Sequence, residues 1–412
     1  MIYSFYLGED YNMLRMMRGV VTVLLALTAI ASGINPLDPC AKATNCPSCA
    51  ALNKAGSAPA CGWCPVERKC METNALISTS VCKKENLWTT SDWCVDNYKP
   101  SYNESLAALL VEFSAACYSD QPQLCADKLW PNFVVVEKLE TPPDPSGSTN
   151  VAFVAEAEGS AEIVVSFRGT DELSEAAVET MASFTMHATY KMGGAVNTYA
   201  YLGNQNLAPR VQELVADFVG RYPKTHRVYV TGYSLGGALA SLGALDLVSS
   251  GLVNPRRLTL VTYGEPRSGN FDLAKAVDAY VPDSWRVVNT DDLVPHVPPC
   301  FPDPYVPHHC QASVASPYHQ GTEVWYENGM NAANLHSYKV CTGKPKNEDA
   351  SCSNAKAPSV CTVNAAKCVN DHLFYYDFNM LIYGKSDCEK KVLNDPSQPY
   401  PDLENIHWFE WY

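Results

Sequence analysis

The pentapeptide Gly232-Tyr233-Ser234-Leu235-Gly236 constrains this 412-residue chain more than any other feature. Arg227–Thr231 (RVYVT) precedes it and predicts a strand, being apolar and β-branched. The segment that follows, 237–248, opens with GGALASL and predicts a helix. A G-x-S-x-G at a strand-to-helix turn holds the serine in a strained backbone conformation. Glycines flank it because a β-carbon at either position would meet the neighbouring strand or helix. Ala238, Ala240 and Ser241 continue the demand for small groups at close packing. A helix N-terminus also favours negative charge developing nearby. Ser234 is thus a candidate nucleophile, and serine at its ordinary pKa needs a base to take its proton.

The surrounding chain alternates strand-like and helix-like segments. Residues 132–138, 151–157, 163–167, 258–263 and 286–289 read as strands. Residues 207–222 read as an amphipathic helix with Leu207, Val211, Leu214, Val215 and Phe218 on one side, and 271–281 reads as another helix. This alternation predicts the α/β class, a sheet covered by helices. In the chain order of α/β-hydrolases an acid and then a histidine follow the serine. Asp291 and Asp292, just past a predicted strand, are the acid candidates. Downstream histidines are His296, His308, His309, His319, His336, His372 and His407, and composition alone does not choose among them.

The remaining sequence describes what is attached to this unit. Arg15 and Arg18 precede the apolar run Val20–Ile30, followed by small residues, so 1–33 is expected to be a signal peptide, with synthesis starting at Met1, Met13 or Met16. This eleven-residue run falls short of the ~20 that a spanning helix needs. Residues 34–97 hold eight of the 17 cysteines and predict a disulfide-stapled module with little core of its own. Its two C-x-x-C pairs (Cys46/Cys49 and Cys61/Cys64) raise zinc as an alternative, which export disfavours. The stretch CGWCPVERKC resembles small plexin–semaphorin–integrin-type cysteine modules, and the resemblance implies a spacer or interaction role. Residues 98–412 carry 36 acids against 22 bases, and hence the whole net charge of −14. That balance argues against general binding to nucleic acid. Asn103-Glu104-Ser105 is the N-glycosylation sequon. Cysteines group as eight, then Cys117 and Cys125, then seven from Cys300 onward, so the odd thiol is expected in the carboxy-terminal set.

Four blocks resemble the class 3, or fungal-type, lipases: IVVSFRGT (163–170), VTGYSLGGALASL (230–242), LVTYGEPRSGN (260–270) and RVVNTDDLVPHVPP (286–299), with NDHLFYY (370–376) as a weaker fifth. The resemblance implies an α/β-hydrolase fold over 98–412. It also implies a triad of Ser234, Asp292 and His372, with the backbone N–H groups of Thr170 and Leu235 as the oxyanion hole. Under it, Asp291 becomes a loop or capping residue, and His296 and His319 become structural. His187, His226 and His407 have no evident partner and read as structural or solvated. Tyr233 stands where the family has histidine and is expected to pack beneath the turn. The segment 171–190 is expected to be a lid, although it lacks the family's tryptophan. The long cysteine-rich stretch at about 300–370 resembles secreted invertebrate forms more than the shorter fungal ones.

The expected function is therefore a secreted serine ester hydrolase acting on acylglycerols at a lipid interface, without cofactor or metal. The alternative from a different class is a catalytically inactive lipid-binding or adhesion protein on the same fold. The cysteine module is the expected place for a protein partner.

Overall fold

The computed structural model describes residues 38–74, 81–143, 149–169, 188–306 and 309–394. The expected signal peptide, Thr170, most of the expected lid (171–187), and His187, His308 and His407 lie outside these residues. Two compact units divide between Asp96 and Asn97.

In the first unit, disulfides take the place of an apolar core. The short helix Cys46–Ala50 begins at Asn45, whose side chain accepts from Ser48 N–H while the Ser48 side chain answers back to Asn45. A hairpin pairs Cys61–Cys64 with Lys69–Glu72. The four disulfides are Cys40–Cys61, Cys46–Cys94, Cys49–Cys70 and Cys64–Cys82. Both C-x-x-C pairs are thus divided between different bridges, which removes their thiolates as zinc ligands.

The second unit is built on an eight-stranded sheet. Its strands are β1 (Phe133–Glu140), β2 (Val151–Ala157), β3 (Glu162–Phe167), β4 (Arg227–Tyr233), β5 (Leu258–Tyr263), β6 (Ser284–Asn289), β7 (Thr322–Tyr326) and β8 (Lys339–Val340). They lie side by side in chain order. β3 to β7 are parallel, while β1, β2 and β8 add antiparallel edges. Its helices are α1 (Glu104–Ala116), α2 (Pro122–Leu129), α3 (Thr198–Arg221), α4 (Leu235–Ser249), α5 (Phe271–Tyr280), α6 (Ala357–Val363), α7 (Ala365–Leu373) and α8 (Met380–Lys385).

Burial explains why the parallel strands read as apolar runs. Every residue of β6 is buried, and β3 and β5 each have one position short of that, as expected for strands covered on both faces. All fifteen residues of α4 are buried, so this helix is apolar all round. No described helix is long and apolar enough to cross a membrane.

Two expectations need correction. The helix expected from Leu207 begins at Thr198. Its first turns are rich in glycine, asparagine and tyrosine, which carry no helical pattern, and Pro209 interrupts the ladder. Tertiary contacts hold them instead: Asn197 caps Ala200 N–H, and Asn204 Nδ2 donates to the buried Asp246 at 2.8 Å. The unpaired thiol is Cys117 and lies outside the carboxy-terminal set. Cys117 ends α1 with its sulfur facing the Ser166 carbonyl at 3.5 Å, deep under the sheet. Its neighbour in the sequence, Cys125, instead bridges to Cys388 across 263 residues. The other bridges are local: Cys300–Cys310, Cys341–Cys352 and Cys361–Cys368.

Candidate active site

The sharp turn after β4 puts Ser234 at φ 58°, ψ −131°, a sparsely populated conformation for a residue with a side chain. Close packing explains the glycines around it. A β-carbon on Gly232 would lie 2.2 Å from the Gly236 carbonyl, and one on Gly236 would lie 2.3 Å from the Phe167 carbonyl. Ser234 N–H donates to Tyr263 O at 2.9 Å, which ties the turn to the end of β5. Leu235 is the first residue of α4, so its N–H has no acceptor within the helix.

Side chains from four segments converge here. His372, on the last turn of α7, places Nε2 3.0 Å from Ser234 Oγ. Its Nδ1 lies 3.0 and 2.9 Å from the two oxygens of Asp292. Asp292 follows β6 and is fully buried, as is His372, and Ser234 is 3% exposed. The Asp292 carboxylate is held by two further donors, Val294 N–H at 2.8 Å and Tyr375 Oη at 2.5 Å. Burial, then the nearby Asp292 charge, pushes the Tyr375 phenol well above its ordinary pKa, so it stays a donor.

Three supports were not legible as such in the sequence. Tyr233 does more than fill space beneath the turn: its ring stacks on the His372 imidazole at 4.8 Å and 26°, and its hydroxyl donates to the His372 carbonyl at 2.8 Å. Asn289, the last residue of β6, donates from Nδ2 to the carbonyls of Asp371 (3.0 Å) and Phe374 (2.8 Å) and so clamps the end of α7. Gly264, at φ 55°, leaves the space that the His372–Asp292 pair fills. Tyr375 carried a usable signal, three residues after His372, but nothing along the chain marks its target.

The remaining candidates are placed elsewhere. Asp291 was expected to be a loop or capping residue. It lies in the loop after β6 and is also an ion-pair partner, 2.8 Å from Lys367 Nζ, which also bonds Asp371 at 2.5 Å. Burial opposes charge on Lys367, yet its hydrogen bonds to Asp291 and Asp371 hold its pKa above the usual value. His319 Nδ1 lies 3.0 Å from Glu348, which Arg267 grips through Nε (2.9 Å) and Nη2 (3.0 Å). Burial alone would raise the Glu348 pKa, but Arg267 and His319 hold it well below the carboxylate range. His296 Nδ1 is 3.3 Å from Asn354 Oδ1, and burial holds both His296 and His319 down at about 3. His226 is buried, with Nδ1 2.9 Å from Tyr222 O, and His336 is exposed beside Glu104. Asn103 caps α1, its side chain accepting from Leu106 N–H at 3.1 Å.

Comparison with known proteins follows the same outline. The family model described as "Lipase (class 3)" matches residues 164–301. "Lipase ZK262.3" of Caenorhabditis elegans is 33% identical over 303 residues, spanning 71% of this chain and 84% of that one. The lipase of Rhizopus niveus is 30% identical over 222 residues, 53% of this chain and 48% of that one. A solved structure described as a triacylglycerol lipase with a serine protease triad as its catalytic centre aligns at a TM-score of 0.54 and 25% identity, covering 69% of this chain and 98% of that one. A strand-ordered α/β sheet, a serine turn between β4 and α4, and these relatives lead to one conclusion: the chain belongs to the class 3 lipase family of carboxylic ester hydrolases.

Proposed function

We propose that this protein hydrolyses acylglycerol esters through an acyl-enzyme on Ser234. The observation that carries the reading is the hydrogen-bonded line from Ser234 Oγ through the imidazole of His372 to both oxygens of Asp292. In it, His372 Nδ1–H donates to Asp292, which leaves Nε2 to accept the serine proton. Ser234 Oγ attacks the ester carbonyl, and its proton passes to His372 Nε2. The tetrahedral intermediate collapses as His372 returns the proton to the departing alcohol. Water, deprotonated by His372, then attacks the acyl-enzyme and releases the acid. Asp292 orients the imidazole and stabilises its imidazolium form. Leu235 N–H, at the positive end of α4, is assigned to the developing oxyanion. Thr170 is assigned beside it on family resemblance. Loss of one such donor generally costs ~10²–10³ in rate.

The relatives described as lipases support a lipid ester as substrate. We assign the protein to the secreted class, which its eight disulfides suit, and treat the cysteine-rich unit as a spacer or interaction module. The test compares the parent with Ser234→Ala on emulsified acylglycerols. A loss of ~10⁴-fold or more is expected, together with loss of labelling by a fluorophosphonate. Equal rates in the two proteins would support the inactive lipid-binding alternative.

A further inference from the structure

Beyond Asp292 the chain runs through residues 293–322 with Asp303 as its single Asp, Glu, Lys or Arg, alongside four histidines, within the unit that carries the net charge of −14. Along this stretch Phe301, Tyr305, Val306 and Val314 are 50%, 91%, 42% and 67% exposed. Scattered exposed apolar residues need no explanation, but four within fourteen positions of a nearly uncharged loop mark a surface that something covers.

The described residues of the loop are tied to one another and to the fold in this exposed form. Cys300–Cys310 closes its base, where Cys310 packs with Ala274 and Tyr318. Gln311 N–H donates to Phe301 O at 2.7 Å, and Asp303 N–H donates to His309 O at 2.8 Å. The lone carboxylate is engaged by the loop's own backbone: Asp303 Oδ1 accepts from Tyr305 N–H at 2.8 Å and Val306 N–H at 3.1 Å. Farther along, Asn270 Nδ2 donates to Val314 O at 2.8 Å. The pair Gly269–Asn270 bonds to both Pro317–Tyr318 and Val196 in a small four-stranded sheet. That sheet stands five residues past Gly264, whose position at the carboxyl end of β5 borders His372. The loop itself departs from the carboxyl end of β6, the edge of the parallel sheet that also carries Ser234 and Asp292.

We propose that this disulfide-closed loop is an anchor that docks the enzyme on an uncharged lipid surface. The inference rests on the lipase reading for its occupant, because such an enzyme must meet its substrate as an assembled lipid phase. Charge selects the kind of surface. The loop offers no Lys or Arg to pair with an anionic headgroup, and the acidic unit around it repels one. A neutral acylglycerol surface asks only for apolar and aromatic contact, which Phe301, Tyr305 and the valines provide. Closure before binding removes the ordering cost that a mobile loop would carry.

The test uses the full chain carrying Ser234→Ala, so that droplets are not consumed, with and without Phe301→Ser/Tyr305→Ser/Val306→Ser. Partitioning onto triolein droplets is measured by flotation. The three substitutions are expected to weaken it by about 100-fold, since each removes apolar contact from side chains that are already partly buried in the protein. High salt should leave the parent's partitioning unchanged. The same three substitutions with Ser234 intact should keep the parent's rate on a soluble short-chain ester, which also reports folding. Unchanged partitioning, binding that salt abolishes, or a shift in sedimentation showing that the loop joins two copies would overturn the proposal. The two readings fail separately: an inactive parent that still floats through the loop refutes lipolysis alone, and an active parent whose variant floats normally refutes the anchor alone.

Discussion

Gly264→Ala tests how tightly the site is built. A β-carbon there would stand 2.7 Å from His372 Cε1 and Nδ1 and 2.8 Å from Asp292 Oδ2. Ordinary contact needs ~3.5 Å or more, so the imidazole or the strand end must give by about 0.8 Å. The ring has nowhere to go on its other sides. Tyr233 stacks against it, and Asp292 is locked by Tyr375 and Val294. The 3.0 Å bond to Ser234 Oγ is therefore what lengthens, and a displacement near 1 Å costs about 10²-fold in rate. The positive φ of 55° adds a separate cost of about 1–2 kcal/mol in stability for any residue with a side chain. Gly159→Ala separates the two effects, since Gly159 has φ 79° with nothing within 4 Å of its added carbon. Both variants should melt at lower temperature than the parent. Only Gly264→Ala should lose kcat on a soluble short-chain ester, and by about 100-fold. If it retains activity within about threefold of the parent, the site has slack that this geometry denies.

Other expectations are as definite. Tyr233→Phe removes the donor to the His372 carbonyl but keeps the ring, and should lower kcat about tenfold, with Tyr233→Leu lowering it further; equal values for the two would mean that the ring contributes nothing. Asn289→Ala releases the carbonyls of Asp371 and Phe374 and should cost about 1–3 kcal/mol in chemical denaturation together with a fall in kcat; an unchanged midpoint would show that α7 is held by other contacts. Acid should destabilise the fold through buried histidines. His296 and His319 are held at about 3 by burial, whereas an unfolded histidine takes its proton near ~6.5. The unfolded chain binds the extra protons between those values, so stability is lost as pH falls from ~6.5 toward ~3. Melting temperatures followed across that range should fall, and fall less in His296→Gln; the same slope in both proteins would remove His296 as a contributor.

Much of the fold could be read along the chain because parallel strands buried on both faces leave unbroken apolar runs. β2 and β5 match the strand readings end to end, and β4 and α4 match within two residues at each end. The start of α3 could not be read. Its first nine residues are helical because Asn204 and the α4 face hold them there. The unpaired thiol was misplaced for a related reason. Parity within sequence groups says nothing about which sulfurs meet, and the bridge from Cys125 to Cys388 joins two groups.

Local sequence by itself determined the serine turn. Steric exclusion around Ser234 acts within a few residues, so Gly232, Gly236 and the small residues of α4 announce it. The chain's cysteine count and its uneven charge likewise followed from composition alone. Only the tertiary structure decided what surrounds the serine. His372 lies 138 residues away and Asp292 80 residues from that histidine, and composition alone left seven histidines equal. Tyr233 on the imidazole, Tyr375 on the aspartate, Asn289 on α7 and the space at Gly264 are relations across strands. Hydrogen bonds and excluded volume act over a few ångströms in space, whatever the separation along the chain, so they exist only once the sheet has brought those strand ends together.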